Sequence, residues 1–182
     1  MSELEELKNR RFCTLDESII ELLVKQLQHE LYNKSLYYSM ANFYDTDGLP
    51  LLGKYYRLRA EEEELHHKWI FEYLCYNDAN FQYPSIPSIE DVDISDRKTP
   101  FEKTVDQEIK TTLMINKIVE RALELKDWAT FNWLMGKGPV EGNLVTEQSE
   151  EESISRAICD MANENTPWLS KQKAIYEFYI ND

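Results

Sequence analysis

Glu63 and His66 stand three positions apart in Ala60-Glu61-Glu62-Glu63-Glu64-Leu65-His66-His67, a spacing that puts a carboxylate and an imidazole on one side of a helix. Successive helical residues advance by about 100°. Four consecutive glutamates in a helix packed on one side therefore cannot all face water, and at least one looks inward. A carboxylate with an imidazole suits iron or manganese, held as one ion or as a bridged pair. Glu-x-x-His alone is common by chance, so its weight depends on whether other acids share the same buried stripe.

The surrounding elements supply them. Thr14-Leu15-Asp16-Glu17 has the form of a capping box, which opens a long helix with the inward register Ile20, Leu23, Leu27, Glu30, Lys34, Tyr37, Ala41. A turn at 45–50 carries Gly48 for a left-handed position and Pro50 to open the next helix. That helix runs to about Asn77, with Leu52, Tyr56, Arg59, Glu63, His66, Ile70 and Tyr73 on one face. Residues 78–98 hold Pro84 and Pro87 without helical period and are too long for a hairpin between antiparallel neighbours, so they read as a crossover. Thr99-Pro100-Phe101-Glu102 is a second capping box, followed by the register Phe101, Val105, Glu108, Thr112, Ile115, Val119, Ala122.

A fourth helix begins at Trp128 and meets three glycines and a proline within 136–142, which no ordinary helix survives. The pattern resumes with Leu144, Glu147, Glu151, Ile154 and Ile158, so this is either one helix interrupted by a loop or a short helix, a loop and a longer helix. Thr166-Pro167 opens a short fifth helix, apolar nearly all round through Trp168, Leu169, Ile175, Tyr176, Phe178, Tyr179 and Ile180. Such a surface calls for a partner, another subunit among the candidates.

Four long helices with one crossover make an all-α bundle in which each of the first three places an acid on its inward face. Burying unpaired carboxylates costs several kcal/mol, and a cation at the bundle centre offsets that cost. Plainer readings exist for two of these acids: Glu30 paired with Lys34 or Tyr37, and Glu108 on the surface if the helix is out of phase by one position. His29 and His67 point about 100° away from their better-placed neighbours and read as ordinary, His67 as solvated or as an outer contact of the site.

The 182 residues fit one domain covering 1–182, and 42% hydrophobic content suffices for a sizeable core. A net charge of −14, from 34 acidic and 20 basic residues, repels phosphate backbones and excludes nucleic acid as a partner. Cys13, Cys75 and Cys159 are odd in number and widely spaced, which indicates neither disulfides nor zinc and points to a reducing cytoplasm. The acidic first residues lack an apolar leader and no run reaches the length of a membrane span, so a soluble, cytoplasmic protein is expected.

Gln28-His29-Glu30-Leu31-Tyr32 with Tyr37, the run from Ala60 to His66, Glu108, and Thr146-Glu147-Gln148-Ser149-Glu150-Glu151 together resemble the non-haem bacterial ferritins, over about residues 20–162. The resemblance implies a ferritin-like bundle, 1–13 being an N-terminal extension and 166–182 the fifth helix, assembled as a homo-oligomeric shell of 24 subunits that oxidises Fe(II) with O2 or peroxide and stores Fe(III) as mineral. It places Glu30, Glu63 and His66 on one iron and a bridging Glu63, Glu108 and Gln148 on the second, with Tyr37 beside them. It assigns Glu62, Glu147, Glu150 and Glu151 to a third, transfer-type iron site. Bacterioferritins and symmetric di-iron enzymes carry a second Glu-x-x-His in the last bundle helix. Here no histidine follows His67, and no haem is expected. The chain departs from the family at 136–142, a seven-residue insertion where members are continuous and line the threefold channel. Seven residues are close to two turns, so helical phase is kept. Two rival functions remain: an iron-binding shell protein without oxidase activity, and a di-iron peroxide scavenger.

Overall fold

The computed structural model describes residues 13–89 and 94–181, within which there are six helices and no strand. They are α1 (Glu17–Thr46), α2 (Pro50–Tyr76), α3 (Thr99–Leu125), α4 (Trp128–Leu134), α5 (Leu144–Asn163) and α6 (Trp168–Asn181). The lead-in, apart from Cys13, lies outside the described residues, as do 90–93 of the crossover.

Both expected capping boxes are replaced by an aspartate. Asp16 caps α1, its side chain accepting from Ser18 N. Thr14 instead donates its hydroxyl to Asn77 Oδ1 at 2.8 Å, fastening the start of α1 to the end of α2. At α3, Asp96 accepts from the Lys98 and Thr99 amides at 2.6 and 3.0 Å and from the Thr99 hydroxyl at 2.5 Å. A carboxylate is the stronger acceptor for orphan N–H groups at the positive helix end.

Gly48 adopts φ 77° between α1 and α2, as the turn requires, and the short link folds α2 back along α1. All seven positions of the expected α2 face, from Leu52 to Tyr73, are buried. On α3 the seam differs. Phe101, Glu108, Ile115 and Ala122 are buried as expected, but Thr104, Thr111 and Ile118 fill the intervening positions while Val105, Thr112 and Val119 are only partly covered. That is a strict 3-4 alternation, the seam of near-parallel bundle helices.

The core has two apolar halves. One contains Leu23, Leu27, Ile70, Tyr73, Ile115, Ala122, Trp133 and Leu144. The other contains Tyr37, Met40, Tyr44, Leu52, Tyr56, Phe101, Ile158 and Ile175. Along α1 and α5 the chain passes from the first half to the second, and along α2 and α3 from the second to the first. The parallel pair α2 and α3 needs a connection spanning the bundle, which residues 77–98 supply. On its way the connection receives Gln28 Nε2 on Ser85 O at 2.6 Å and brings Tyr83 Oη to 2.5 Å from His67 Nε2.

Between α4 and α5 the glycine-rich segment wraps Trp133. Its indole is buried and stacked on Tyr73 at 4.0 Å between centroids, and its Nε1 donates to Glu141 O at 2.7 Å. Gly138 and Gly142 approach this side chain so closely that a methyl group on either would lie 2.8 Å from Cδ1 or 2.5 Å from Nε1, respectively. The loop is a fitted cover on the first apolar half. Ile175 anchors α6 in the second half, while Leu169, Phe178 and Ile180 are exposed. No described helix is long and apolar enough to cross a membrane.

Candidate metal centre

The two apolar halves are separated by a polar layer to which every long helix contributes. Glu30 and Asn33 come from α1, Arg59, Glu63 and His66 from α2, Thr104, Glu108 and Thr111 from α3, and Gln148, Glu151 and Ser155 from α5, all buried. Buried acids on four helices at one level are costly unless paired or bound to a cation.

Glu30, Glu63 and His66 each offer a ligand atom within 4.8 Å of the others, and so do Glu63, Glu108 and Glu151. Glu63 belongs to both groups, so the arrangement has the form of two adjoining cation sites sharing one carboxylate. Neither pairing that would neutralise Glu30 is formed: Lys34 goes to Glu64 at 2.5 Å and Tyr37 donates to Glu108 Oε1 at 2.5 Å. Glu30 Oε1 accepts from Gln26 Nε2 at 2.5 Å. The second carboxylate oxygens of Glu30, Glu63 and Glu151 are buried and accept no hydrogen bond. Native interiors rarely leave such atoms unpaired, and one unpaired oxygen on each of three neighbouring carboxylates fits a hard or borderline cation.

The electrostatics carry the same imprint. Burial, with Glu30 and Glu108 alongside, holds the Glu63 carboxyl well above the usual carboxylate range. Burial also lifts Glu151, against the pull of Arg59 and His66, to about 7. For His66, burial disfavours the imidazolium, yet Glu151, Glu147 and Glu30 outweigh it and push the pKa up to about 9. Without metal, the cluster retains protons that a divalent cation would displace.

Glu108 accepts protein donors at both carboxylate oxygens. Oε1 receives Tyr37 Oη and Arg59 Nη2, the latter at 2.6 Å, and Oε2 receives Gln148 Nε2 at 2.9 Å. Gln148, expected as a ligand, thus meets Glu108 as a donor. Glu151 joins Glu63 and Glu108, whereas Glu147 is half exposed, with Oε2 3.6 Å from His66 Nε2. Glu62 is also half exposed and accepts from Arg59 Nη1 at 3.0 Å and from Tyr179 Oη at 2.5 Å. Glu150 is exposed and enters neither group. His29 is buried, enters neither ligand group and lies 2.9 Å from the Thr111 hydroxyl. Sequence reasoning misses the role of Arg59, although an arginine four residues before Glu63 on an apolar face must find anions.

A family model described as Ferritin-like domain matches residues 20–161. The bacterial non-heme ferritin of Campylobacter jejuni is 32% identical over 146 residues, spanning 80% of this chain and 83% of that protein. The corresponding protein of Escherichia coli is 30% identical over 148 residues, spanning 80% and 84%. Among solved structures, an open pore ferritin from the archaeon Archaeoglobus fulgidus superposes with a TM-score of 0.75 at 26% identity, over 90% of this chain and 98% of that one. A humanized archaeal ferritin gives 0.79 at 26% identity, over 90% and 94%. With the matching model over most of its length, the chain belongs to the ferritin family.

Proposed function

We propose that this protein is an iron-storage ferritin that oxidises Fe(II) at the buried carboxylate cluster and retains Fe(III) as mineral within an oligomeric shell. The observation that carries the reading is the pair of overlapping ligand groups, Glu30–Glu63–His66 and Glu63–Glu108–Glu151, which share Glu63. One Fe(II) takes Glu30, Glu63 and His66. A second takes the far side of Glu63 with Glu108 and Glu151, next to Gln148. Two Fe(II) ions give up one electron each, and O2 or peroxide accepts the pair.

Glu63 fixes the separation of the two ions, so its role is positional as well as electrostatic. Tyr37 holds Glu108 Oε1 from the α1 side and Gln148 holds Oε2 from the α5 side, which orients that carboxylate before any metal arrives. Glu147 and Glu62 would receive Fe(III) leaving the centre, a reading supported by the half-exposed position of Glu147 beside His66 and of Glu62 beside Arg59. Glu150, on the exposed side of the same helix, is available only to ions already outside it. The relatives named non-heme ferritins support the storage role, and the exposed apolar residues of α6 support self-association into a shell, cytoplasmic as in the sequence reading.

Aerobic Fe(II) loading followed by size exclusion with iron analysis tests this. Iron co-eluting with a large particle is the expected result, and iron left on a small species would sink the storage reading. Glu63→Ala should abolish rapid oxidation. An unchanged rate would favour a shell protein without oxidase activity, and sustained peroxide turnover without retained iron would favour a scavenging enzyme.

A further inference from the structure

Arg59 is buried within the cluster, with 1% exposure. Its Nη2 donates to Glu108 Oε1 at 2.6 Å, and its Nη1 lies 3.0 Å from Glu62 Oε2 and 3.4 Å from Glu151 Oε1. Its Cζ lies 5.6 Å from the centroid of the Tyr37 ring, and its Nε is buried without an acceptor. One guanidinium thus engages two of the three carboxylates that form the second ligand group, while among the described residues neither the first group, Glu30, Glu63 and His66, nor its hydrogen bonds include an arginine or lysine.

We infer that Arg59 is a built-in counter-ion at the second cation position, so the two positions fill in order and the second metal must displace the guanidinium. The inference rests on the two-site reading above and adds a rule of occupancy to it. A divalent ion entering the first group finds unpaired oxygens on Glu30 and Glu63 and displaces only protons. An ion entering the second group finds one on Glu63 and one on Glu151, but on Glu108 Oε1 already accepts from both Tyr37 and Arg59 and Oε2 accepts from Gln148. It also approaches a fixed positive charge in a low-dielectric interior, where repulsion over a few ångströms is strong.

A retreat is available. Glu62, half exposed and braced by Tyr179, already holds Nη1, so the guanidinium keeps an anion while it leaves Glu108 and Glu151. Arginine suits this role because it stays charged at any working pH and spans several carboxylates at once. In the empty site it also lessens repulsion among the acids, so Glu108 and Glu151 are held in place before loading. Arg59 is therefore a positioning residue that sets the sequence of metal binding.

Zn2+ titration of the chelator-stripped, assembled protein by calorimetry tests the inference without iron oxidation, and Co2+ absorption reports which ion has the imidazole. The wild type should bind one equivalent per chain at the His66 position and a second about tenfold or more weaker. Arg59→Gln should tighten the second step about tenfold and leave the first within about twofold. Arg59→Lys, which keeps the charge but cannot span the carboxylates, should tighten it less. Helicity and assembled size show whether each variant folds, and if Arg59→Gln does not, Arg59→Lys decides. Two equivalents of equal affinity in the wild type would overturn the inference, as would an unchanged second step in the folded variants. A His66→Ala isotherm identical to the wild type would instead overturn the metal centre itself.

Discussion

Trp69 Nε1 donates to Glu141 Oε2 at 3.1 Å, tying the glycine-rich loop between α4 and α5 to the helix that carries Glu63 and His66. Trp69 also lies 5.4 Å from His66, ring centre to ring centre. The loop is therefore mechanically continuous with the site. Gly142→Ala tests that continuity, since its methyl group would meet Trp133 Nε1 at 2.5 Å and the Trp133 carbonyl at 2.6 Å. Overpacking of this kind costs about 1–3 kcal/mol, and for a chain of this size each kcal/mol lowers Tm by roughly 2–4 °C. A thermal melt indistinguishable from wild type would show that the loop does not grip the indole as described.

Tyr37→Phe removes the hydroxyl that donates to Glu108 while retaining the ring. A buried hydrogen bond to a charged acceptor contributes about 1.5–3 kcal/mol, so the metal-free variant should melt several degrees lower. Iron oxidation should slow as well, because Glu108 then has one less restraint. Thermal unfolding and stopped-flow oxidation together check this. A normal rate in a destabilised variant would confine Tyr37 to a packing role.

Most of this architecture is legible in the sequence because apolar spacing on a bundle helix is dictated by burial. The α2 face from Leu52 to Tyr73 reads correctly at every position. The α3 face drifts by one residue at alternate positions because Thr104 and Thr111 resemble surface residues by type, yet their hydroxyls return to Pro100 O and Gln107 O within the helix. Helix starts mislead for a related reason: Thr14 and Thr99 fit the capping pattern, but the side-chain acceptors at the two starts are Asp16, on the Ser18 amide, and Asp96, on the Lys98 and Thr99 amides. Inside the site, Glu30, Glu63, His66 and Glu108 follow from register. Which α5 residue comes within reach of Glu63 and Glu108 does not, because Gln148 and Glu151 differ by less than one helical turn, and their placement depends on the loop that precedes α5. The position of Arg59 is readable, but its reach across Glu62, Glu108 and Glu151 depends on side-chain length and on three partners brought by other elements.

Glu151 and Glu150 are adjacent in sequence and opposite in placement, which makes them a matched pair. Glu151→Gln should weaken the second divalent cation about 10- to 100-fold, the range for losing a group that holds or orients a metal. Glu150→Gln, on the exposed side of α5, should leave both steps unchanged. Zn2+ calorimetry on the stripped protein distinguishes them. Equal effects would mean that the acids of α5 act as a diffuse negative field and not as individual ligands.

The buried carboxyls also fix the sign of the pH dependence. Glu63, raised well above its usual range by burial and by Glu30 and Glu108, holds its proton more tightly in the folded chain than in the unfolded one. The same holds for Glu151, at about 7, and His66, at about 9. Between the unfolded and folded pKa of each group the native state binds more protons, so stability falls as pH rises, by up to about 1.4 kcal/mol per pH unit for each such proton. The chelator-treated protein should therefore lose Tm steadily from about pH 5 to pH 8. Divalent metal should restore it most at the upper end, where fewer protons must leave. Glu63→Gln removes one of these protons from the balance and one buried charge from the cluster. It should flatten the profile and raise the metal-free Tm at pH 8 above wild type, while abolishing rapid Fe(II) oxidation. That combination would identify Glu63 as a residue kept for chemistry at a cost in stability. A wild-type Tm independent of pH across this window would mean that the cluster is already ionised and neutralised by other means.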